Sequence, residues 1–183
     1  MGNQTLYSTP EWVKMDENHI DLIYSLIICN KPKTILEIGV GTGAVSLKAL
    51  QACEYNEITP QIVCVDNFFD WKGKPPREFE EASKKFQFVI SDEKSFVKSC
   101  KDSFDFIISD ADHHHTHEWV ESTYSLLNKG GILIYHDVTN RDFPNLFGIV
   151  NWARKKGVTH MCFNSSSKPN ERCERGLLVI KKD

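Results

Sequence analysis

Residues 34–43, with the sequence Thr-Ile-Leu-Glu-Ile-Gly-Val-Gly-Thr-Gly, decide the fold that we expect for this chain. A short apolar run ends there in three alternate glycines, Gly39, Gly41 and Gly43. Glycine lets a backbone turn sharply and approach a ligand without a Cβ in the way. Residues 42–53 then have helical propensity, and residues 61–66 (Gln-Ile-Val-Cys-Val-Asp) have the pattern of a second buried strand. The stretch therefore predicts a β-α-β unit with a ligand beside its glycine turn.

The same alternation continues on both sides of this unit. We expect further strands at residues 86–90, 104–109, 131–136, 160–164 and 176–182, and helices at residues 8–30, 77–85, 92–100, 115–127 and 143–156. Apolar strands that alternate with amphipathic helices indicate a mostly parallel sheet covered on both faces. The last two strands have no helical pattern between them and should form an antiparallel hairpin at one edge. The predicted fold class is α/β, a doubly wound, mostly parallel, seven-stranded Rossmann-like sheet with an antiparallel C-terminal hairpin.

The composition excludes several classes of protein. With 183 residues, 40% hydrophobic and 26% charged, the chain fits one globular domain, with a helical segment at residues 1–33 and a core at residues 34–183. A net charge of −3 offers no basic excess for nucleic acid. No apolar run approaches the ~20 residues that cross a bilayer, and no signal pattern opens the chain, so we expect no membrane partner and a cytoplasmic location. We expect reduced, mostly buried thiols at Cys29, Cys53, Cys64, Cys100, Cys162 and Cys173.

The predicted ligand site lies beyond the carboxyl ends of the strands, where such sheets bind ligands. Asp66, at the end of the second strand, could accept hydrogen bonds from a ribose diol. Glu37 stands just before the glycine loop, where a carboxylate would attract a sulfonium and repel a diphosphate. Gly39-x-Gly41-x-x-Ala44 also fits a dinucleotide fingerprint, but no tyrosine here has a lysine four residues later. The charge therefore favours S-adenosylmethionine over NAD.

A second group of polar residues follows the fourth and fifth predicted strands. Residues 110–117 read Asp-Ala-Asp-His-His-His-Thr-His, and the fifth strand runs into His136 and Asp137. A divalent cation would compensate Asp110 and Asp137. Oxygen ligands suit Mg²⁺ or Mn²⁺, whereas a nearby imidazole shifts the preference toward later transition metals. Asp112 or His113 could instead cap the next helix. The remaining histidines of the run, His114, His115 and His117, could simply face solvent.

The motifs Ile-Leu-Glu-Ile-Gly-Val-Gly-Thr-Gly and Val-Cys-Val-Asp resemble those of the class I S-adenosylmethionine-dependent methyltransferases. The resemblance implies that the three glycines surround the methionine portion, that Glu37 supports the loop and that Asp66 binds the ribose. It places Ser91 and Asp92 at the adenine, although Asp92 could equally be a helix N-cap. Aromatic residues that could flank the adenine, or only seal the edge of the core, are Phe68, Phe69 and Trp71.

Two further segments, Asp-Phe-Ile-Ile-Ser-Asp-Ala-Asp-His at 105–113 and Leu-Leu-Asn-Lys-Gly-Gly-Ile-Leu-Ile-Tyr-His-Asp at 126–137, narrow the resemblance. They are similar to the metal-dependent O-methyltransferase branch, which includes macrolide-sugar O-methyltransferases, cephalosporin hydroxylase-like proteins and, more distantly, caffeoyl-CoA and catechol O-methyltransferases. The resemblance implies that Asp110 and Asp137 are metal ligands and that His113 is the general base. Asp110 thus counts among the catalytic, cofactor-binding and metal-binding candidates. His136 departs from the pattern, since several relatives have an acidic ligand there.

The predicted reaction is methyl transfer from S-adenosylmethionine to a hydroxyl oxygen of a small molecule, assisted by Mg²⁺ or another divalent metal. His113, with an unperturbed pKa near ~6.5, would take the hydroxyl proton at neutral pH. A segment of the Asn/Asp-Pro-Pro-Tyr/Phe type, usual in methylation of base nitrogens, does not follow the fourth strand. Two alternatives stay open, a catalytically idle S-adenosylmethionine-binding module and an NAD-dependent oxidoreductase.

The acceptor cannot be read from the sequence. We expect its pocket to be built by the N-terminal helix, residues 66–77, Phe143 and residues 165–172, and none of these segments has a recognised signature. A neighbouring subunit of a homo-oligomer could cover the site.

Overall fold

The computed structural model describes residues 15–69, 82–165 and 175–183. These ranges contain five α-helices and seven strands. The helices are α1 (Glu17–Asn30), α2 (Ala44–Tyr55), α3 (Glu93–Ser99), α4 (Val120–Ser125) and α5 (Phe147–Lys156). The strands are β1 (Thr34–Ile38), β2 (Gln61–Asp66), β3 (Gln87–Ile90), β4 (Phe104–Ser109), β5 (Leu127–Tyr135), β6 (Thr159–Ser165) and β7 (Arg175–Lys181).

All seven strands form one sheet in the order β3-β2-β1-β4-β5-β7-β6. Strands β1 to β5 are parallel, and β7 is antiparallel to both of its neighbours, β5 and β6. The predicted fold class and the C-terminal hairpin at one edge are confirmed. Since β1 lies between β2 and β4, the winding of the chain changes direction between β1 and β4. A crevice opens at such a switch point, beyond the carboxyl ends of the strands.

Helices cover both faces of the sheet, which explains the long apolar runs of the strands. On one face, α1 and α2 pack through residues such as Ile23, Ile27 and Ala49 against alternate strand residues such as Ile35 and Ile134. On the other face, α3, α4 and α5 pack on the remaining strand residues. This second core includes Leu36, Ile107, Leu133, Val97, Val120 and Ile149.

Several boundaries differ from the predicted ones. The structure begins α1 at Glu17, because Asp16 before it has an extended backbone with φ −57° and ψ 136°. The predicted start of this helix at residue 8 lies outside the described residues. The predicted helix at 115–127 is a 3₁₀ turn, Thr116–Glu118, followed by the short α4. Strand β5 begins four residues earlier than predicted, since Leu127 pairs with Phe104 across an irregularity in β4.

Other predictions fall partly or wholly outside the described residues. Of the predicted helix at 77–85, only Ala82–Lys85 is described, and it forms a 3₁₀ turn. The predicted helix at 143–156 begins with a 3₁₀ turn, Pro144–Leu146, before α5. The five described cysteines are free as expected, but Cys29 is exposed, and Cys173 lies outside the description. Among the helices that the structure describes, none combines the length and apolar character needed to span a membrane.

Candidate active site

One cavity of about 890 Å³ lies at the carboxyl ends of β1, β2, β4 and β5. Both groups of residues that the sequence predicts for the site reach it. The predicted residues along its wall are Glu37, Gly39, Gly41, Asp66, Ser91, Asp92, Asp110, His113, His136 and Asp137. Gly43 does not line the cavity, and it serves as the N-cap of α2 with φ 79°. The topology thus brings the glycine loop and the carboxylate–imidazole group to one crevice.

The glycine loop turns over the neighbouring strand β4, and Gly39 is the residue that permits it. Gly39 has φ 86°, a conformation that side chains rarely adopt. A Cβ on Gly39 would lie only 2.3 Å from the carbonyl oxygen of Asp110 and 2.5 Å from its carbonyl carbon. The first glycine therefore sets the distance between the loop and the end of β4. Gly41 has φ 51°, and a Cβ there would meet no atom within 4 Å.

Asp66 holds the glycine loop in place. Its Oδ2 accepts hydrogen bonds from the N–H groups of Val40 (2.7 Å) and Gly41 (2.9 Å), and its Oδ1 accepts one from the N–H of Phe68 (2.7 Å). Two carboxylate oxygens can accept about four hydrogen bonds, so three of these positions are filled. Asp66 thus caps the loop, which is the alternative to ribose binding that its sequence position allows, and one acceptor position remains without a partner among the described residues.

Glu37 lies beneath the loop and is almost completely buried. The hydroxyl of Ser46 in α2 donates a hydrogen bond to its Oε2. Burial raises the pKa of Glu37 to about 8, against the opposing effect of this hydrogen bond. At neutral pH the carboxyl is therefore mostly protonated. Attraction of a sulfonium by Glu37 requires the ionised carboxyl, so it stays a prediction, as does the support of the loop that the resemblance implies.

Ser91 and Asp92 follow β3 and belong to the start of α3. Asp92 is the N-cap of this helix, and its Oδ1 accepts a hydrogen bond of 2.8 Å from the N–H of Ser95, which lowers the pKa of Asp92. The capping alternative is therefore confirmed, and contact with adenine stays a prediction. Of the three aromatic candidates, Phe68 is buried in the core, Phe69 is 83% exposed, and Trp71 lies outside the described residues.

The Asp110 group, which we define as Asp110, His113 and Asp137, lines the cavity next to the glycine loop. The Nε2 atom of His113 lies 3.3 Å from Oδ1 of Asp110 and 3.0 Å from Oδ2 of Asp137. Burial alone would lower the pKa of His113, but the two carboxylates raise it to about 10. The imidazole is therefore cationic at neutral pH in this arrangement, and its role as general base stays a prediction.

Asp137 is held in an uncommon backbone conformation. Its φ is 60°, in the left-handed region that costs a non-glycine residue about 1–3 kcal/mol. The amide of Asn140 donates a hydrogen bond of 3.2 Å to its Oδ1, and Nε of Arg175 lies 3.9 Å from the same oxygen. Strained residues of this kind cluster at functional sites, and the strain here aims a carboxylate at His113.

His136 stands between the Asp110 group and the start of α1, and it is almost completely buried. Its Nδ1 lies 3.2 Å from Oδ1 of Asp110 and 3.6 Å from Oδ1 of Asp137. Its Nε2 points the other way and lies 3.9 Å from Oδ2 of Asp16. Burial opposes the charge, but Asp110 and its neighbours raise the pKa of His136 to about 10. Neither Asp16 nor His19, whose ring packs edge-on at 5.2 Å from that of His136, was a candidate from the sequence.

The turn after β4 depends on Glu93, which the sequence analysis also missed. The buried carboxylate of Glu93 accepts a hydrogen bond of 2.7 Å from the hydroxyl of Ser109 and another of 2.5 Å from that of Thr116. Burial raises its pKa despite these donors. A glutamate in the first turn of a helix is common, so its sequence carries no signal of this role. Glu93 fixes the backbone on both sides of Asp110.

The remaining histidines of the run occupy the surface side of this turn. Oδ1 of Asp112 accepts hydrogen bonds from the N–H groups of His114 (3.0 Å) and His115 (3.1 Å), so Asp112 stabilises the turn. His114 and His115 are exposed as predicted, although His115 also reaches the cavity wall. His117 is half-buried, so the solvent-facing prediction is wrong for this residue.

Comparison with known families agrees with this geometry. A family model described as "Methyltransferase domain" matches residues 36–138, more than half of the chain, from β1 to the residues just after β5. The chain belongs to this family. The class I S-adenosylmethionine-dependent methyltransferase identity predicted from the glycine loop is thus confirmed. Comparison with curated proteins gives no match.

Three solved structures show the same fold as this methyltransferase. The O-methyltransferase TomG from Streptomyces achromogenes, in complex with SAM, is 15% identical, with a TM-score of 0.72 over 93% of this chain and 82% of TomG. An O-methyltransferase from Bacillus cereus, in complex with SAH, is 15% identical, with a TM-score of 0.71 over 94% of this chain and 84% of its own. SAH-bound PaMTH1 from Podospora anserina is 15% identical, with a TM-score of 0.72 over 96% of this chain and 83% of its own.

Proposed function

We propose that this methyltransferase transfers the methyl group of S-adenosylmethionine to a hydroxyl oxygen of a small molecule. The observation that carries the proposal is a cavity of about 890 Å³ that is lined by both the glycine loop and the Asp110 group. Ligand pockets have volumes of about 300–1,000 Å³, so this cavity has room for a nucleoside cofactor with part of an acceptor. Three structural neighbours support the cofactor, because TomG was crystallised with SAM and the proteins from Bacillus cereus and Podospora anserina with SAH. TomG and the Bacillus cereus protein are O-methyltransferases, which supports an oxygen acceptor.

The cofactor would lie along the carboxyl ends of β1 and β2. The open space above Gly41 suits the methionine portion, and the remaining acceptor position of Asp66 suits one ribose hydroxyl. Ser91 and Asp92 line the same wall where the adenine is expected. Since Glu37 is mostly neutral, the negative charge that faces a sulfonium would come from Asp110. His136 and His113 hold the pKa of Asp110 well below its usual range although burial opposes this.

The Asp110 group fits a divalent metal. One ligand atom from each of Asp110, His113 and Asp137 lies within 4.8 Å of the other two, and two of the three are carboxylates. Asp110 and Asp137 would hold the ion, whereas Nδ1 of His136, the third predicted ligand, lies within hydrogen-bond distance of Asp110 and would orient that carboxylate. A bound ion would supply positive charge that lowers the pKa of an acceptor hydroxyl. Its positive charge would also compensate Asp110 and Asp137, the two carboxylates that raise the pKa of His113.

His113 is the residue best placed to receive the proton. In the reaction, the acceptor oxygen forms a bond to the methyl carbon as the sulfur–carbon bond breaks, and the hydroxyl proton leaves to a base. His113 lines the cavity and lies within hydrogen-bond distance of Asp137, which orients its ring. A base must be neutral, so His113 takes this role only when positive charge compensates the two carboxylates beside it. Asp137 and Asp110 are thus positioning residues for His113 as well as candidate ligands.

Two matched substitutions test these roles. We expect Asp66→Ala to weaken S-adenosylmethionine binding more than it slows turnover, and His113→Ala to do the reverse. Binding is measured by titration calorimetry, and turnover by S-adenosylhomocysteine release over a panel of hydroxylated sugars, polyketides and phenols. His160→Ala is the control, because His160 lies on β6 and its Nδ1 contacts the carbonyl of Val158. Equal losses in both assays for both variants would contradict the assignment.

Thermal stability separates the methyltransferase from the alternatives. S-adenosylmethionine at 100 times its Kd should stabilise the folded chain by about 2.7 kcal/mol, whereas NAD should have no effect. A shift with NAD alone would support an oxidoreductase. Binding of S-adenosylmethionine, with no turnover of any acceptor with or without Mg²⁺, Mn²⁺ or Zn²⁺, would support an idle binding module.

A further inference from the structure

The three residues Asp16, His19 and His136 form a second group of metal-ligand type, which we call the Asp16 group. One ligand atom of each lies within 4.8 Å of the other two. Asp16 and His19 come from the start of α1, and His136 comes from the end of β5. We propose that the Asp16 group binds a transition metal ion of the zinc type, at a site separate from the Asp110 group.

Two buried imidazoles in the Asp16 group have ring nitrogens without a hydrogen-bond partner among the described residues. His19 is 2% exposed, and neither of its ring nitrogens has a partner among the described residues. The same is true of Nε2 of His136, the nitrogen that faces Asp16 and His19. Buried polar atoms are nearly always paired, so unpaired ones call for an explanation by an ion or a water. Two of these nitrogens, Nδ1 of His19 and Nε2 of His136, face the same carboxylate of Asp16, which favours an ion.

The spacing of the donor atoms fits tetrahedral coordination. Metal–ligand distances of about 2.0–2.1 Å place the donors of a tetrahedral zinc site about 3.3 Å apart. Here Nδ1 of His19 lies 3.5 Å, and Nε2 of His136 lies 3.9 Å, from Oδ2 of Asp16. Rings at 5.2 Å with an interplanar angle of 78° approach the carboxylate from different sides. A small contraction of the group would complete the geometry.

The hydrogen bond on the other side of His136 supports the same assignment. Metal-binding histidines almost always donate their second ring N–H to a carboxylate or carbonyl, which fixes the nitrogen that faces the metal. The Nδ1 of His136 lies 3.2 Å from Oδ1 of Asp110. Donation there leaves Nε2 for the ion. Binding replaces the proton that a cationic His136 carries at Nε2, and that proton passes to solvent.

The donor set indicates which ions would bind. Two imidazoles and one carboxylate suit Zn²⁺, Co²⁺, Ni²⁺ or Fe²⁺, whereas Mg²⁺ and Ca²⁺ prefer oxygen ligands. The two carboxylates of the Asp110 group have the opposite preference. His136 and Met15, the residue before Asp16, line the cavity, which gives an ion a route to the site. A bound ion would tie the first turn of α1 to the end of β5 and so fix this wall of the cavity.

Cobalt binding to the metal-free full-length chain tests the proposal. In excess Mg²⁺, we expect the wild-type chain to bind one equivalent of Co²⁺ with visible ligand-field absorption. His19→Gln should lower the affinity at least about a hundredfold, since even partners outside the ligand set change it 10–100-fold. The matched control His160→Gln should not change it, and Asp137→Asn, which removes a carboxylate of the Asp110 group, should retain the Co²⁺ band. No Co²⁺ binding by the wild type, an unchanged affinity in His19→Gln, or complete loss in Asp137→Asn would overturn the proposal.

A measurement on the wild type guards against variants that fail to fold. Crystals soaked in Zn²⁺ and measured on both sides of the zinc absorption edge should show an anomalous peak between Asp16, His19 and His136. A peak only between Asp110 and Asp137, or only an ordered water at the Asp16 group, would refute the second site whatever the variants do. Methyl transfer is not the readout, so loss of the proposed enzymatic activity would leave this test intact.

Discussion

Gly39→Ala should destabilise the protein through a steric conflict between the glycine loop and β4. A Cβ at this position would lie 2.3 Å from the carbonyl oxygen of Asp110 and 2.8 Å from the N of Ala111, both backbone atoms that cannot rotate away. Relief of such overpacking costs about 1–3 kcal/mol. A left-handed backbone, at φ 86°, costs an alanine about 1–2 kcal/mol more. The sum is about 2–5 kcal/mol.

Gly157→Ala isolates the two contributions. Gly157 ends α5 with φ 71°, close to that of Gly39, but a Cβ there would meet no atom within 4 Å. Its cost should therefore be only the conformational one, about 1–2 kcal/mol. Urea unfolding followed by circular dichroism measures both variants. At about 2–4 °C per kcal/mol, Gly39→Ala should lower the melting temperature in a thermal scan by roughly 4–20 °C.

The comparison of these two alanine variants can refute the reasoning. If they lose the same unfolding free energy, the close approach of Gly39 to Asp110 contributes nothing. If instead Gly39→Ala is the less affected of the two, the loop of the folded protein lies elsewhere. A relaxed Gly39→Ala that folds should also bind S-adenosylmethionine more weakly, because the loop can move only away from β4.

Three further substitutions test single interactions. Burial raises the pKa of Glu37 to about 8 from 4.5, so the unfolding free energy of wild type relative to that of Glu37→Gln should fall as the pH rises from 4.5 to 8, by up to about 1.4 kcal/mol per unit. A difference between the two proteins that stays constant over this range of pH would contradict the shifted pKa. Asp92→Ala removes the cap on the N–H of Ser95 and should cost about 1 kcal/mol of unfolding free energy at pH 7, with a smaller loss at pH 2. Glu93→Ala removes the carboxylate that accepts a hydrogen bond from the buried hydroxyl of Thr116. The free energy of unfolding in urea should fall by about 1–3 kcal/mol, and a loss below about 0.5 kcal/mol would contradict this role of Glu93.

The strands, and the residues that meet at the crevice, could be predicted from the sequence. In a parallel sheet, residues that follow the ends of different strands lie at the same edge. Asp66, Asp110 and Asp137 each follow the end of a strand, and the carboxyl ends of parallel strands meet at one edge. Their approximate location therefore needs only the strand assignment. Their partners need coordinates, since the bonds from Asp66 to the loop and from Asp110 to two imidazoles depend on side-chain rotation.

Charge states were less predictable than positions. The sequence supplies an ordinary pKa for each group, whereas the state in the fold depends on burial and on neighbours within a few ångströms. Glu37 lies beside Ser46 in a buried layer and keeps its proton, and His113 lies between two carboxylates and gains one. In both cases the protonation state depends on contacts with residues of other secondary-structure elements. The short apolar run around Glu37 was the available signal for its burial.

His136 shows why the metal preference of this site could not be settled by matching motifs. A motif compares one position at a time, so it assigns His136 to the position beside Asp110 where several relatives have an acidic metal ligand. An imidazole differs from a carboxylate in having two nitrogens that face opposite directions, and the second one here meets Asp16 and His19. The first turn of α1 approaches β5 through packing of α1 on the sheet, which no pattern in residues 15–19 specifies. Histidine at position 136 thus offers no oxygen donor beside Asp110 but offers a nitrogen donor to the Asp16 group, so the two groups should differ in the ions that they select.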